Sequence, residues 1–246
     1  MKRSPAGVFA RGLAMGAADI VPGVSGGTIA LITGIYEQLL EAIVSADGDA
    51  LSMAVSGRWN ELWHRIDGGF LSILLLGILI AIFSMASGIH WLLTHYPQPL
   101  WSFFSGLILI SSVLLIRDEV TLDSIDCLAG FTFGVCIAVG AVFMPPVSFL
   151  AGLPGLFFAG AIAICAMILP GISGSFLLVL MGMYEQVLSA VKTLQVTELL
   201  VLAAGCVTGL LLFARLLQRC LQRYRALAMA FLSGVLMGSL VAVWPW

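Results

Sequence analysis

The chain has 246 residues, 61% of them hydrophobic and only 10% charged, against about 25% charged in soluble domains. That much apolar surface excludes a water-soluble globule and predicts an all-α integral membrane protein. A net charge of -2 offers nothing to nucleic acid, so no such partner is expected.

The chain opens on Met1-Lys2-Arg3 and soon turns apolar, but Arg11 interrupts the run. A cleaved leader is therefore not expected, and the basic pair predicts a cytoplasmic N-terminus. The first apolar segment, 7–44, is broken in its middle by Val21-Pro22-Gly23-Val24-Ser25-Gly26-Gly27-Thr28. Each half, at 1.5 Å per residue, makes about 22 Å of helix and cannot span alone. The polar connection at 45–69 holds Asp47, Asp49, Arg58, Glu61, His64, Arg65 and Asp67 beside Trp59 and Trp63, and predicts a short interfacial helix. Apolar stretches at 70–93 and 100–116 follow, joined through Pro97-Gln98-Pro99. Trp91, Tyr96 and Trp101 around that turn, like Trp244 and Trp246 at the end, read as interface anchors. A span at 127–147 leads to a second broken segment, 155–191, interrupted by Leu169-Pro170-Gly171-Ile172-Ser173-Gly174-Ser175. Spans at 199–217 and 226–244 complete a set of about five, each fitted to about 30 Å of hydrocarbon. Cys127, Cys136, Cys165, Cys206 and Cys220 lie in or beside apolar segments without disulfide or zinc spacing, so they read as packing residues. No acidic cluster or histidine pair suggests a metal, and no cofactor is expected.

The two breaks belong to an internal duplication. Residues 18–42 fall on 166–190 without a gap, and about half the pairs are identical. Pro22 matches Pro170, Ser25 matches Ser173, Gly34 matches Gly182, and Tyr36-Glu37-Gln38 matches Tyr184-Glu185-Gln186. Further on, Gly77 matches Gly205, Tyr96 matches Tyr224, and Ser105-Gly106 matches Ser233-Gly234. The chain divides into repeat 1 at 7–116, a linking helix at 125–147 and repeat 2 at 155–246, within one membrane domain. If each broken segment spans as one helix, the copies are parallel; if each is a re-entrant hairpin, they are inverted. Arg58, Arg65 and Arg117 fall inside only in the hairpin arrangement, and the outer turns at 94–100 and 148–154 lack Lys and Arg. The positive-inside rule thus predicts two re-entrant helical hairpins in an inverted repeat, although Lys192 then falls outside.

Irregular backbone at membrane depth survives only where protein or a wet cavity satisfies it. After each proline, Ser25-Gly26-Gly27-Thr28 and Ser173-Gly174-Ser175 open a second half-helix whose free N–H groups and dipole favour an anion. The expected substrate-binding set is Arg11, Ser25, Gly26, Gly27, Thr28, Ser173, Gly174 and Ser175. Tight helix packing also uses glycines, but accounts poorly for a duplicated proline and serine. Arg11 and Asp19 are unique to repeat 1, since their matches are Ala159 and Met167. Arg11 pairs with an anion or with Asp19, or reaches to the surface. Asp19, Glu37 and Glu185, with Tyr36 and Tyr184, are candidates for coupling to protons or sodium, or for gating. Gly23-Val24-Ser25-Gly26-Gly27 also fits the G-x-S-x-G of hydrolases, but the only histidines, His64, His90 and His95, lie away from the centres of apolar segments.

The stretch RGLAMGAADIVPGVSGGTIALITGIYEQLL at 11–40 and its echo ILPGISGSFLLVLMGMYEQVL at 168–188 resemble the bacterial polyprenyl-phosphate (undecaprenyl-phosphate) translocase family. The resemblance implies a transporter, not an enzyme, that returns undecaprenyl phosphate from the outer to the inner leaflet of the cytoplasmic membrane, feeding cell-wall synthesis. The lipid itself follows only from the resemblance; the residues reach as far as an anion site between hairpins. A transporter of a small soluble anion, an intramembrane hydrolase and an envelope scaffold are the other readings.

Overall fold

A computed structural model describes residues 4–21, 24–120, 124–144 and 152–244. Lys2, Arg3, Pro22, Gly23, the end of the expected linking helix, most of the 148–154 turn and Trp246 lie outside the described residues.

Fourteen helices and no strand occur among the described residues. Helix α1 (Pro5–Ile20) starts on a Ser4 cap with Pro5 at its first position, where the missing N–H costs nothing. After the first break come α2 (Gly26–Ile32) and α3 (Tyr36–Val44), then α4 (Gly48–Val55) and α5 (Trp59–Arg65). Next are α6 (Gly68–His95), α7 (Pro97–Glu119) and α8 (Ile125–Phe143). The second copy repeats the order as α9 (Gly152–Ile168), α10 (Gly174–Leu180), α11 (Tyr184–Lys192), α12 (Val196–Arg223), α13 (Arg225–Gly238) and α14 (Leu240–Val243). Five stretches are long and apolar enough to cross a bilayer: α6, α7, α8, α12, and α13 running on into α14. Their outer faces carry exposed large apolar side chains such as Phe83, Ile110, Phe133 and Leu212, as lipid contact requires. This is an all-α, multi-pass membrane protein.

Each broken segment is interrupted twice, where the sequence suggested one break. Beyond the Pro-Gly-x-Ser-Gly element, α2 meets α3 at 116° and α10 meets α11 at 114°. The physical cause is a matched glycine: Gly34 at φ 71° and Gly182 at φ 65° take the left-handed conformation that ends a helix. The polar connection likewise forms two short helices rather than one, divided at Ser56-Gly57. Arg65 ties it down by pairing with Asp47 at 2.6 Å and Asp49 at 3.3 Å.

Small residues let the long helices approach backbone to backbone. A side chain at Gly12 would strike the Leu74 carbonyl, and one at Gly77 the Phe9 carbonyl, so α1 lies directly on α6. In the second copy Gly160 meets the Leu202 carbonyl and Gly205 the Phe157 carbonyl, so α9 lies on α12 by the same contacts. Helix α8 packs on α13 through Gly134 and Gly234, each against a phenylalanine carbonyl, Phe231 and Phe131 in turn. Of the five spans, the one formed by α13 and α14 is the most enclosed, with Leu232, Val235 and Leu236 fully buried.

Candidate functional site at the paired breaks

The two breaks touch. Ser25 Oγ donates to the Met167 carbonyl at 3.1 Å, and the Gly171 amide donates to Thr28 Oγ1 at 2.9 Å. Tyr36, a gating candidate, is buried, and its hydroxyl donates to the Ile168 carbonyl at 2.9 Å. The turn at Gly34 carries it there, by folding α3 back across α2. Three side chains of the first copy thereby satisfy the backbone where the second copy's α9 ends. Buried carbonyls and amides need such partners, because an unmade hydrogen bond costs about 1–3 kcal/mol.

Helix α2 opens differently from the expectation of free amides. The Gly26 N–H donates to Asp19 Oδ1 at 2.7 Å, and the Gly27 N–H donates to Ser25 Oγ at 3.1 Å. The protein's own side chains, Asp19 and Ser25, thus take up these two amides at the start of α2. Ser25, Gly26, Gly27 and Thr28 are all buried. Asp19 does not pair with Arg11, whose Nε donates to the Thr33 carbonyl at 3.3 Å and whose Nη1 donates to the Gly7 carbonyl at 2.9 Å.

The second copy is more open. Its match to Asp19 is Met167, so no carboxylate faces the start of α10, and the Ser173 side chain makes no cap bond. Ser173 and Ser175 hydroxyls instead meet each other at 2.8 Å, with Ser173 half-buried and Ser175 exposed. A cavity of about 190 Å³ adjoins Ser173, lined also by Gly171, Ile172, Phe176, Trp101 and Ser239 among others. An apolar groove of about 320 Å³ between α8, α12 and α13 reaches Leu169, just before Pro170. Tyr184, the match of Tyr36, is 38% exposed and does not mirror its burial.

The duplicated glutamates also part company. Glu37 Oε1 accepts from Arg225 Nη1 at 2.8 Å, while Arg225 binds Glu119 through two bonds of 3.0 and 3.1 Å. Glu185 forms no ion pair among the described residues. Arg225 and Glu119 were legible in the sequence only as charges near helix ends. The signal that could have raised them was Arg225's place directly after the duplicated tyrosine, Tyr224, where the first copy has Pro97. Ser25 and Ser173 find carbonyl, amide and hydroxyl partners, and no imidazole is among them.

Two broken segments, hydrogen-bonded to each other beside five apolar spans, define a multi-pass membrane protein. The chain belongs to the undecaprenyl phosphate translocase-like family, VCA0040-like, whose model matches residues 15–246. It is 46% identical over 238 residues to a polyprenyl-phosphate transporter of Vibrio cholerae, covering 97% of this chain and 77% of that protein. It is 32% identical over 253 residues to a polyprenyl-phosphate transporter of Staphylococcus aureus, covering 96% of this chain and 84% of that one. No solved structure matches.

Proposed function

We infer that this protein carries a polyprenyl phosphate across the membrane, returning undecaprenyl phosphate from the outer to the inner leaflet of the bacterial cytoplasmic membrane. The observation that carries the reading is the meeting of the two breaks through Ser25, Thr28 and Tyr36, with one break enclosed and the other open. Membership in the translocase-like family and the two related transporters support the lipid class.

In this reading the copies are inverted repeats, 7–116 and 155–246, and each broken segment is a re-entrant hairpin. Support comes from Glu37, which sits beyond the first break yet reaches Arg225 at the start of α13, and Arg225 in turn binds Glu119 at the end of α7. A hairpin that returns to its own side puts those three together. The phosphate sits at Ser173, Gly174 and Ser175, beside the cavity that Ser173 and Ser239 line. The prenyl tail lies along the apolar groove that ends at Leu169. Rocking one copy against the other exchanges roles, so that Ser25, Gly26, Gly27, Thr28 and Arg11 take the head on the opposite face. Asp19 holds the Gly26 amide until then, and its carboxylate, with Glu37 and Glu185, is a candidate for proton or sodium coupling. A buried phosphate dianion is prohibitive unless hydrogen bonds and a cation offset it, which is the task of these groups.

The test is Ser25→Ala combined with Ser173→Ala, and separately Arg11→Ala, in a cell that depends on this protein. Carrier-lipid phosphate on the outer surface should rise. A wild-type level in well-expressed variants refutes the site.

A further inference from the structure

The ion pairs between the copies also divide two cavities. The inner one, about 410 Å³, has apolar walls that include Leu31, Leu115, Leu221 and Met229, and it reaches inward to Tyr36. The outer one, about 230 Å³, is rimmed by Glu41, Gln218 and Gln222. Glu37, Leu221 and Arg225 line both and form the partition. Beyond it, Tyr36 leads to the second break through its bond to Ile168.

The partition is built to exchange partners. Arg225 grips Glu119 with two hydrogen bonds but Glu37 with one. The Arg225 and Glu37 side chains are 49% and 52% exposed, so their pairing is weakly held. One guanidinium faces two carboxylates, and its single positive charge cannot neutralise both. Arg117 in the last turn of α7 and Arg223 in that of α12 add positive charge at these helix ends, against Glu41 on the rim. Guanidinium binds phosphate oxygens in the same fork geometry as carboxylate oxygens. The arrangement is one-sided, because Pro97 stands where the repeat would place a second arginine.

We propose that Arg225 is a docking residue for a phosphate monoester, that Glu37 is the placeholder the phosphate displaces, and that this exchange joins the outer vestibule to the inner cavity. The inner apolar wall then receives the first isoprenoid units. This rests on the reading that the cargo is a polyprenyl phosphate, and deepens it by naming where the head is handled on the Arg225 side.

Binding of radiolabelled farnesyl phosphate to the full chain in nanodiscs tests it, with farnesol and inorganic phosphate as competitors. Arg225→Gln should weaken binding about ten-fold, the ratio lost with one charge-assisted hydrogen bond, and Arg225→Lys should recover part of it. Glu37→Gln should bind more tightly than wild type, because the phosphate no longer displaces a charged rival. A purely structural latch predicts weaker binding for both, so parallel losses, or no change in either, overturn the proposal while wild-type binding stands. Inorganic phosphate competing as well as farnesyl phosphate refutes the lipid as ligand here. Failure of the wild type to bind farnesyl phosphate overturns the transport reading and this inference with it.

Discussion

Thr28 Oγ1 accepts a hydrogen bond from the Gly171 amide at 2.9 Å, and both groups are buried. The residues lie in matched elements of a duplicated chain but are not each other's repeat mates, since Thr28 aligns with Phe176. The contact between breaks is therefore asymmetric, and it belongs to one arrangement of the two copies.

Thr28→Val keeps the shape of the side chain and deletes the acceptor, leaving the Gly171 amide unsatisfied. Such an orphan costs about 1–3 kcal/mol. The thermal midpoint of the detergent-solubilised protein should fall for Thr28→Val and recover for Thr28→Ser. An unchanged midpoint in the valine variant would show that the bond contributes nothing.

Asp19 caps the first turn of α2 from outside it, through the Gly26 amide at 2.7 Å. Asp19→Ala removes that acceptor and should destabilise the protein by about 0.5–2 kcal/mol, the range for lost caps. Asp19→Asn keeps an acceptor oxygen and should lose less. Denaturation followed by helical circular dichroism checks the order; equal losses would mean that charge rather than the hydrogen bond matters.

The glycines at helix crossings differ sharply in tolerance. A methyl group at Gly205 meets the Phe157 carbonyl, whereas one at Gly106 or Gly140 meets nothing within 4 Å. Gly205→Ala should separate α9 from α12 and cut the yield of monodisperse protein severely. Gly106→Ala and Gly140→Ala should behave as wild type. Size-exclusion profiles decide the matter, and a normal profile for Gly205→Ala would contradict the close approach.

Arg65, and secondarily the Ala50 amide, hold the Asp47 carboxyl below the usual carboxylate range. A depressed folded-state value gives stability that is present above the unfolded value and lost as pH falls through the folded one. The α4–α5 unit should stay docked at neutral pH and loosen only on acidification below about pH 4, where unperturbed carboxylates protonate. In a cysteine-free background, a spin label introduced by Ser56→Cys should gain mobility there. Adding Asp47→Asn should produce the same mobility already at pH 7; a label equally restrained in that variant would rule out the Arg65 clamp.

Membrane class, the five spans and the two broken segments were all legible in the residues. Hydropathy is summed locally, and proline and glycine act on their own stretch of backbone. The second interruption in each segment was also written there, in the matched Gly34 and Gly182, but a lone glycine in an apolar run does not declare its φ. The partners of the site's polar groups were a different matter. Ser25 finds Met167, Thr28 finds Gly171 and Tyr36 finds Ile168, each more than a hundred residues away. Asp19, in the same broken segment, closes on Gly26 rather than on Arg11. Identical residues in the two copies, Tyr36 and Tyr184 or Glu37 and Glu185, meet different fates because only Tyr36 and Glu37 find partners in the other copy, at Ile168 and Arg225. The sequence by itself determined what each copy can form, since secondary structure and burial in lipid follow from local composition. Only the tertiary structure decided which copy is closed and which is open, because that depends on long-range packing and on ion pairs between helix ends that no local pattern encodes.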